Sequence, residues 1–489
     1  MIKSNDKHFI SRINLKSIKN PRQNDKLIYF TLFLFPLIIG MVFKLLFFYS
    51  RYLNFDTPFM GEINSQIAFG PQNVEFYDDF RYYTLNFVRY FLSGHLPYTH
   101  YFYVDNMPNP FMSYTPYLIY PPLYLYIISM FGTSVNWIVG LQFLLFDIIS
   151  GIFIFKIVEK TWNKIIIATF ACLIYELNPL NFYYCDYCWL NPPIFIFFLL
   201  GSIYFLINDR YNLSILFLGL SIMCKQFAGI FLPILLIRMS RKMQDNGYSK
   251  LKQLKKFIKT LFVFILPISI LSMPYILPIY PDFPDYLYHI FTIGNIEFDL
   301  NLPAYQTPVD FVVPFIAMHF GTNFLLSFKY LLEYYIFLIS STVIICCIYS
   351  FFVKRNESYN ENTLIITLIL LISMTLFYPR GFYKYYTVLF VPLMSIFIMK
   401  NLKNKKWDNW RRNATEVITD LISVGIYYIF SISILFVQRY FTPFILLSMI
   451  LYYTYYGYIN FNSLLKKFFR IYSRKINSLY EKYQNKFNY

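Results

Sequence analysis

Two adjacent carboxylates, Asp78 and Asp79, stand in the run Glu75-Phe-Tyr-Asp-Asp-Phe-Arg-Tyr-Tyr83, which continues as a helix-like stretch to Phe91 and turns at Ser93-Gly-His-Leu-Pro-Tyr98. Acidic residues in the first turn of a helix are favoured by its dipole, so capping accounts for one of them. A second carboxylate beside it goes beyond a cap. Partial burial and mutual repulsion raise one member of such a pair toward the range of a general base. Asp79 is the preferred base, with Asp78 the alternative.

Three cations lie where cations are uncommon. Lys225, followed by Gln226, sits between two short apolar runs at the tip of a helical hairpin. An ammonium at membrane depth either snorkels to the interface or serves a ligand. Arg380 and Lys384 fall in the tight turn Tyr378-Pro-Arg-Gly-Phe-Tyr-Lys-Tyr-Tyr386, on the face that normally lacks positive charge. Together the three suit a site that holds a lipid phosphate or pyrophosphate while a base deprotonates a nearby hydroxyl.

Aromatic and proline-rich segments border these residues. Tyr83 and Tyr98 flank the acidic helix, and Tyr120 opens Tyr-Pro-Pro-Leu123, whose prolines delay the next helix until about Pro122. Tyr83, Tyr98, Tyr120, Asp186 and Gln226 are expected to line the substrate. Asp186 lies in the hairpin turn Tyr183-Tyr-Cys-Asp-Tyr-Cys-Trp-Leu-Asn-Pro-Pro193; an interfacial belt explains its rings but not the carboxylate. Cys185 and Cys188 form a C-x-x-C pair without partners for a metal or redox centre. No metal and no cofactor is expected.

The elements that must position these groups are membrane helices. The 489 residues are 57% hydrophobic, 22% aromatic and 14% charged, with a mean hydropathy of +0.44, far from the soluble average. A net charge of +17 is spread over short segments between apolar runs, as juxtamembrane anchors are, so nucleic acid is not expected as a partner. Spans of about 20 apolar residues are expected near 28–50, 134–158, 164–181, 191–207, 211–224, 226–238, 257–279, 328–353, 362–378, 383–400, 415–437 and 440–461. The fold class is therefore all-α and polytopic, with about twelve transmembrane helices. Leu118–Phe131 and Phe311–Leu326 read as interfacial or re-entrant helices in the first and a later outer loop.

Charge sets the topology. The basic segments 1–27, Arg238–Lys259, Lys400–Arg412 and the tail from Lys466 fall on one side under the twelve-span reading. Outer loop 51–133 holds three Arg against six acidic residues, and loop 280–327 holds five acidic residues and no Lys or Arg. The chain thus divides into a cytoplasmic basic N-terminus (1–27), a transmembrane domain (28–461) and a cytoplasmic basic tail (462–489). It is expected in the cell membrane, or in the endoplasmic reticulum membrane of a eukaryote. The sequons at Asn212, Asn356 and Asn413 lie on the cytoplasmic side. Residues 1–27 show no cleavable signal, so the first helix is expected to be an uncleaved anchor.

At the same residues the chain resembles integral-membrane glycosyltransferases of the GT-C class, near the polyprenol-phosphate-mannose-dependent mannosyltransferases. The resemblance rests on Asp79-Phe80, Tyr83, Leu92, Gly94, Pro97-Tyr98, Tyr120-Pro-Pro-Leu123, and Gly219-Leu220 with Lys225. It covers the first half. Before Val391-Pro392 related enzymes often carry His, where this chain has Arg380, Tyr383 and Lys384. The resemblance implies inverting transfer of a mannose-like hexose from a polyprenyl-phosphate-linked donor to a lipid- or protein-linked glycan acceptor on the non-cytoplasmic face. Asp79 would be the base, and the cations would stabilise the departing phosphate. The alternative is a non-enzymatic flippase or transporter of lipid-linked sugar; unequal outer loops and the lack of repeated halves count against it. A glycan ligase would need a basic outer loop, and loop 280–327 offers only His289 and His319. The acidic residues of that loop read chiefly as solvation.

Overall fold

The computed structural model describes residues 23–53, 80, 84–94, 101–103, 114–116, 121–276, 335–352, 359–376, 384–399, 414–436 and 442–454. Each of the twelve expected apolar segments contains a helix. In chain order these elements are α1 (Gln23–Leu53), α2 (Leu85–Leu92), β1 (Tyr101–Tyr103), β2 (Tyr114–Pro116), α3 (Pro122–Ile128), α4 (Asn136–Trp162), α5 (Ile165–Glu176), α6 (Pro192–Ile207), α7 (Tyr211–Ile222), α8 (Leu232–Asp245), α9 (Lys250–Ile276), α10 (Tyr335–Phe352), α11 (Tyr359–Leu376), α12 (Val391–Ile398), α13 (Ala414–Phe436) and α14 (Thr442–Thr454). A π turn, Asn181–Tyr187, follows α5, and 3₁₀ turns at Gln226–Phe231 and Lys384–Phe390 precede α8 and α12. The all-α, polytopic architecture holds. Its exception among the described residues is the antiparallel ribbon β1–β2, pairing Phe102 with Thr115.

Among the described residues three helices, α1, α4 and α9, are long and apolar enough to cross a bilayer unaided. They differ in position. The membrane-length windows of α1 and α9 are 22% and 17% buried, against 56% for α4. Phe30, Ile38 and Leu46 of α1, Phe262 and Ile270 of α9, and Phe337, Ile344 and Ile345 of α10 are exposed. Apolar surface on that scale belongs against lipid rather than water. α4 is the central post, packed on α5 and α6, with α1 against α4 and α5, and α7 between α6 and α9.

Small residues set the closest helix approaches. Ser202 of α6 and Ser214 of α7 face each other at 3.3 Å, and Ser214 also donates to the Ser202 carbonyl. Hydroxyls of this kind satisfy themselves across a helix pair where water is absent. A Cβ on Gly219 would lie 3.1 Å from the Phe264 carbonyl oxygen of α9. That glycine therefore lets α7 and α9 touch.

The span expected at 164–181 ends early. α5 stops at Glu176, and the π turn leaves it at an angle of 61°. Asn178 explains part of the break: its side chain accepts from the Leu180 amide at 2.9 Å, which competes with the helical ladder. At the other boundary, Arg51 belongs to the last turn of α1 and is buried, although the sequence reads it as the start of the outer loop. The expected helix at 311–326, the predicted cytoplasmic tail (462–489) and residues 1–22 of the predicted cytoplasmic N-terminus (1–27) lie outside the described residues, while 23–27 already belong to α1.

Candidate functional site

Phe80, the residue after Asp79, is fully buried and sits edge-on to Trp189 at 5.0 Å and to Phe143 at 6.0 Å. Tyr124, just past Tyr120-Pro-Pro-Leu123, stacks on Phe143 at 6.5 Å and shares a 3.1 Å hydrogen bond with Thr84. Cys224, the residue before Lys225, belongs to the same buried group. One apolar hub therefore joins the flanks of four sequence candidates: Asp79, the Tyr-Pro-Pro-Leu motif, Asp186 and Lys225. Aromatic pairs in such geometry contribute about 0.5–1.5 kcal/mol each beyond their burial.

α3 starts where its prolines dictate. Pro121 is extended (φ −58°, ψ 159°) and Pro122 occupies the first helical turn, where a missing N–H costs nothing. The helix is then fixed at three points. The Tyr124 amide reaches the Met223 carbonyl at 3.3 Å, the Tyr126 hydroxyl the Leu271 carbonyl at 3.2 Å, and Gln142 the Ile128 carbonyl at 3.3 Å. The first of these bonds places the Tyr-Pro-Pro-Leu motif beside the end of α7 that leads to Lys225.

Trp189 carries backbone strain. Its φ of 53° lies in the left-handed region, which a bulky residue enters only when its surroundings force it. Gly140 of α4 makes the room, since a Cβ there would fall 2.5 Å from the indole. Strain held in place by packing marks the turn 181–191 as a fixed platform rather than a passive connection.

Lys225 is 4% exposed, and its ammonium makes no hydrogen bond and no ion pair among the described residues. Two rings face it, Tyr386 at 4.7 Å and Phe227 at 5.0 Å. Cation–π contact offsets part of the burial cost but leaves three N–H donors unused. Tyr386 lies two residues after Lys384, so the fold brings Lys225 to the segment that carries the second expected cation. Gln226 opens the 3₁₀ turn and is half-buried. Lys384 opens the turn before α12. Asp78, Asp79, Tyr83, Tyr98, Tyr120 and Arg380 lie outside the described residues.

Asp186 is placed elsewhere. It is fully buried at the foot of the π turn, within the electrostatic reach of Lys44, Asp147 and Glu176. Lys44 of α1 pairs with Asp147 of α4 and lies 2.7 Å from Glu176 of α5; none of the three has exposed surface. The Tyr175 hydroxyl donates to Asp147. Two glycines make room for Glu176: a Cβ on Gly151 would fall 1.9 Å from its Oε1, and one on Gly40 2.7 Å from its Oε2. The sequence reading missed Lys44, Asp147 and Glu176, although each is an ionisable residue inside an apolar run, the signal that exposed Lys225.

Residues 99–292, under half of the chain, match the family model described as PIG-U, GPI transamidase subunit. That range includes α3 to α9, Asp186 and Lys225, and excludes Asp78 and Asp79. No curated protein matches the chain. Among solved structures, it is similar to the oligosaccharyltransferase of Archaeoglobus fulgidus in the apo form, with 12% identity and a TM-score of 0.40, over 84% of this chain and 56% of that one. The chain thus spans little more than half the length of that structure.

Proposed function

We propose that this multi-pass membrane protein acts on a polyprenyl-phosphate-linked sugar at the non-cytoplasmic face, transferring a hexose to a lipid- or protein-linked glycan acceptor. Asp79 is the general base on the acceptor hydroxyl in this reading, with Asp78 beside it. Lys225, with Arg380 and Lys384, holds the phosphate and stabilises it as it leaves. The observation that carries the reading is the buried hub of Phe80, Tyr124, Trp189 and Cys224. Those four residues flank the acidic pair, the Tyr-Pro-Pro-Leu motif, the Asp186 turn and Lys225, which are far apart in sequence. The buried ammonium, unpaired among the described residues, supports an anionic ligand, because burying such a charge without purpose is costly.

A second reading is favoured by the matched family model. The match excludes the acidic pair, so the same hub and lysine would serve a non-catalytic subunit of a transamidase-type assembly, holding a lipid-linked substrate for another chain.

The experiment is transfer of radiolabelled sugar from polyprenyl-phosphate donors into membrane lipids and glycoproteins, comparing wild type with Asp79→Asn at matched expression. Transfer by wild type and its loss in the variant support the enzyme. Donor binding with no transfer by either protein favours the subunit, and labelled donor crossing the bilayer without transfer favours the transporter.

A further inference from the structure

The charged cluster at the centre of the bundle has a use independent of the lipid-phosphate reading. It is built on the pair Lys44–Asp147, with the Tyr175 hydroxyl on the second Asp147 oxygen. Glu176 shares the same ammonium at 2.7 Å. One positive charge therefore already serves two carboxylates. A third, Asp186, is fully buried with neither oxygen hydrogen-bonded among the described residues. Among the described residues the charged groups acting on Asp186 are Asp147, Glu176 and Lys44, two of them repulsive.

Five elements around the cluster contribute. α1 supplies Lys44, and two turns on, Arg51, whose guanidinium lies 5.8 Å from the ring of Tyr187. α4 supplies Asp147, α5 supplies Cys172, Tyr175 and Glu176, and the π turn supplies Tyr183, Cys185 and Asp186. The turn at 384–390 packs on the π turn and brings Tyr385 and Tyr386, both buried. Fully ionised, three carboxylates outnumber the Lys44 ammonium and the Arg51 guanidinium among the described residues, and buried sites away from water do not sustain such an excess of negative charge. Some positive species must complete the set. Among the described residues no three His, Cys, Asp or Glu side chains are arranged to hold a metal ion.

We propose that the Glu176–Asp186 end of this cluster is a proton-binding site, one carboxylate taking up H⁺ to form an O–H bond while Lys44 and Asp147 remain the ion pair beside it. The glycines at positions 40 and 151 let the Glu176 carboxylate lie close against two helix backbones, a tight setting that suits a proton better than a larger cation. Because Lys44 is the tie of α1 to the cluster, proton uptake at this site changes how much of that ammonium α1 shares with Glu176.

Infrared difference spectroscopy of the full chain in lipid nanodiscs tests this. The expected result at neutral pH is one band of a protonated carboxyl that shifts slowly in D₂O and is lost in Asp186→Asn or Glu176→Gln. A spectrum with carboxylate bands alone, or a protonated band that both variants retain, overturns the proposal. So does a band removed by sodium or magnesium at constant pH, which would mean that a metal cation takes the place. Should both variants fail to assemble, wild type labelled with ¹³C in Asp or Glu carboxyls serves instead. A slowly exchanging protonated band shifted by one label supports the site; one that neither label shifts, or that exchanges at once, overturns it.

Discussion

Phe80 rests edge-on against Trp189, their ring centroids 5.0 Å apart and both side chains without exposed surface. The contact ties the end of the acidic segment to a turn more than a hundred residues away. In the proposed reaction this gives Asp79 a fixed neighbour in the chain, and a general base is effective only when it is held in place. Phe80→Ala is expected to destabilise the protein by about 3–5 kcal/mol and to lower sugar transfer further than the loss of folded protein explains. Thermal unfolding in detergent, read beside activity per folded molecule, checks both. Equal losses in the two would make Phe80 a core residue only.

The membrane helices were legible because an apolar run bounded by charge has few alternatives at that length. Lys225 was legible for the opposite reason, as a charge where none belongs. Lys44, Asp147 and Glu176 offered the same signal but sit singly in long apolar runs, on helices whose contacts only the fold decides. Gly40, Lys44, Phe48 and Arg51 follow helical spacing and form the inner face of α1, yet the exposed Ile38, Val42 and Leu46 make the run read as uniformly apolar. The break after Glu176 was hidden because Asn178 acts through its side chain, and apolar counting ignores capping. Asp186 was found as an oddity, but its partners lay on three other elements.

Lys44 tests how the cluster is balanced. Lys44→Met removes the ammonium and leaves Asp147 and Glu176 uncompensated, so a loss of about 3–5 kcal/mol is expected. Adding Asp147→Asn and Glu176→Gln to that variant removes the charges that Lys44 served, and most of the stability is expected to return. Denaturation midpoints of the single and triple variants decide it. A triple variant no better than the single would mean that shape, not charge, sets the cost.

Two glycines give a contrast in space alone. A Cβ on Gly151 falls 1.9 Å from the Glu176 carboxylate, whereas one on Gly229 meets, among the described residues, only the tip of Ile222, at 4.0 Å. Gly151→Ala is expected to cost about 1–3 kcal/mol through overpacking, and Gly229→Ala to be neutral or better. Melting temperatures of the two variants settle the comparison. Equal effects would mean that α4 can shift away from α5 without harm, and the tight fit around Glu176 would lose its meaning.

Lys225 separates a ligand role from a structural one. In Lys225→Met the apolar stem is kept and the buried charge removed, and among the described residues the partners that the ammonium loses are the rings of Phe227 and Tyr386. A residue retained for stability would be missed on unfolding; a residue retained for an anion would not, since relief from burying an unpaired charge outweighs two ring contacts. The expected outcome is an unchanged or higher melting temperature together with at least tenfold weaker binding of a polyprenyl phosphate, about 1.4 kcal/mol. Native mass spectrometry with a short-chain polyprenyl phosphate measures the binding directly, without any transfer reaction. Unchanged binding with lower stability would make Lys225 a structural cation and would leave the phosphate to Arg380 and Lys384.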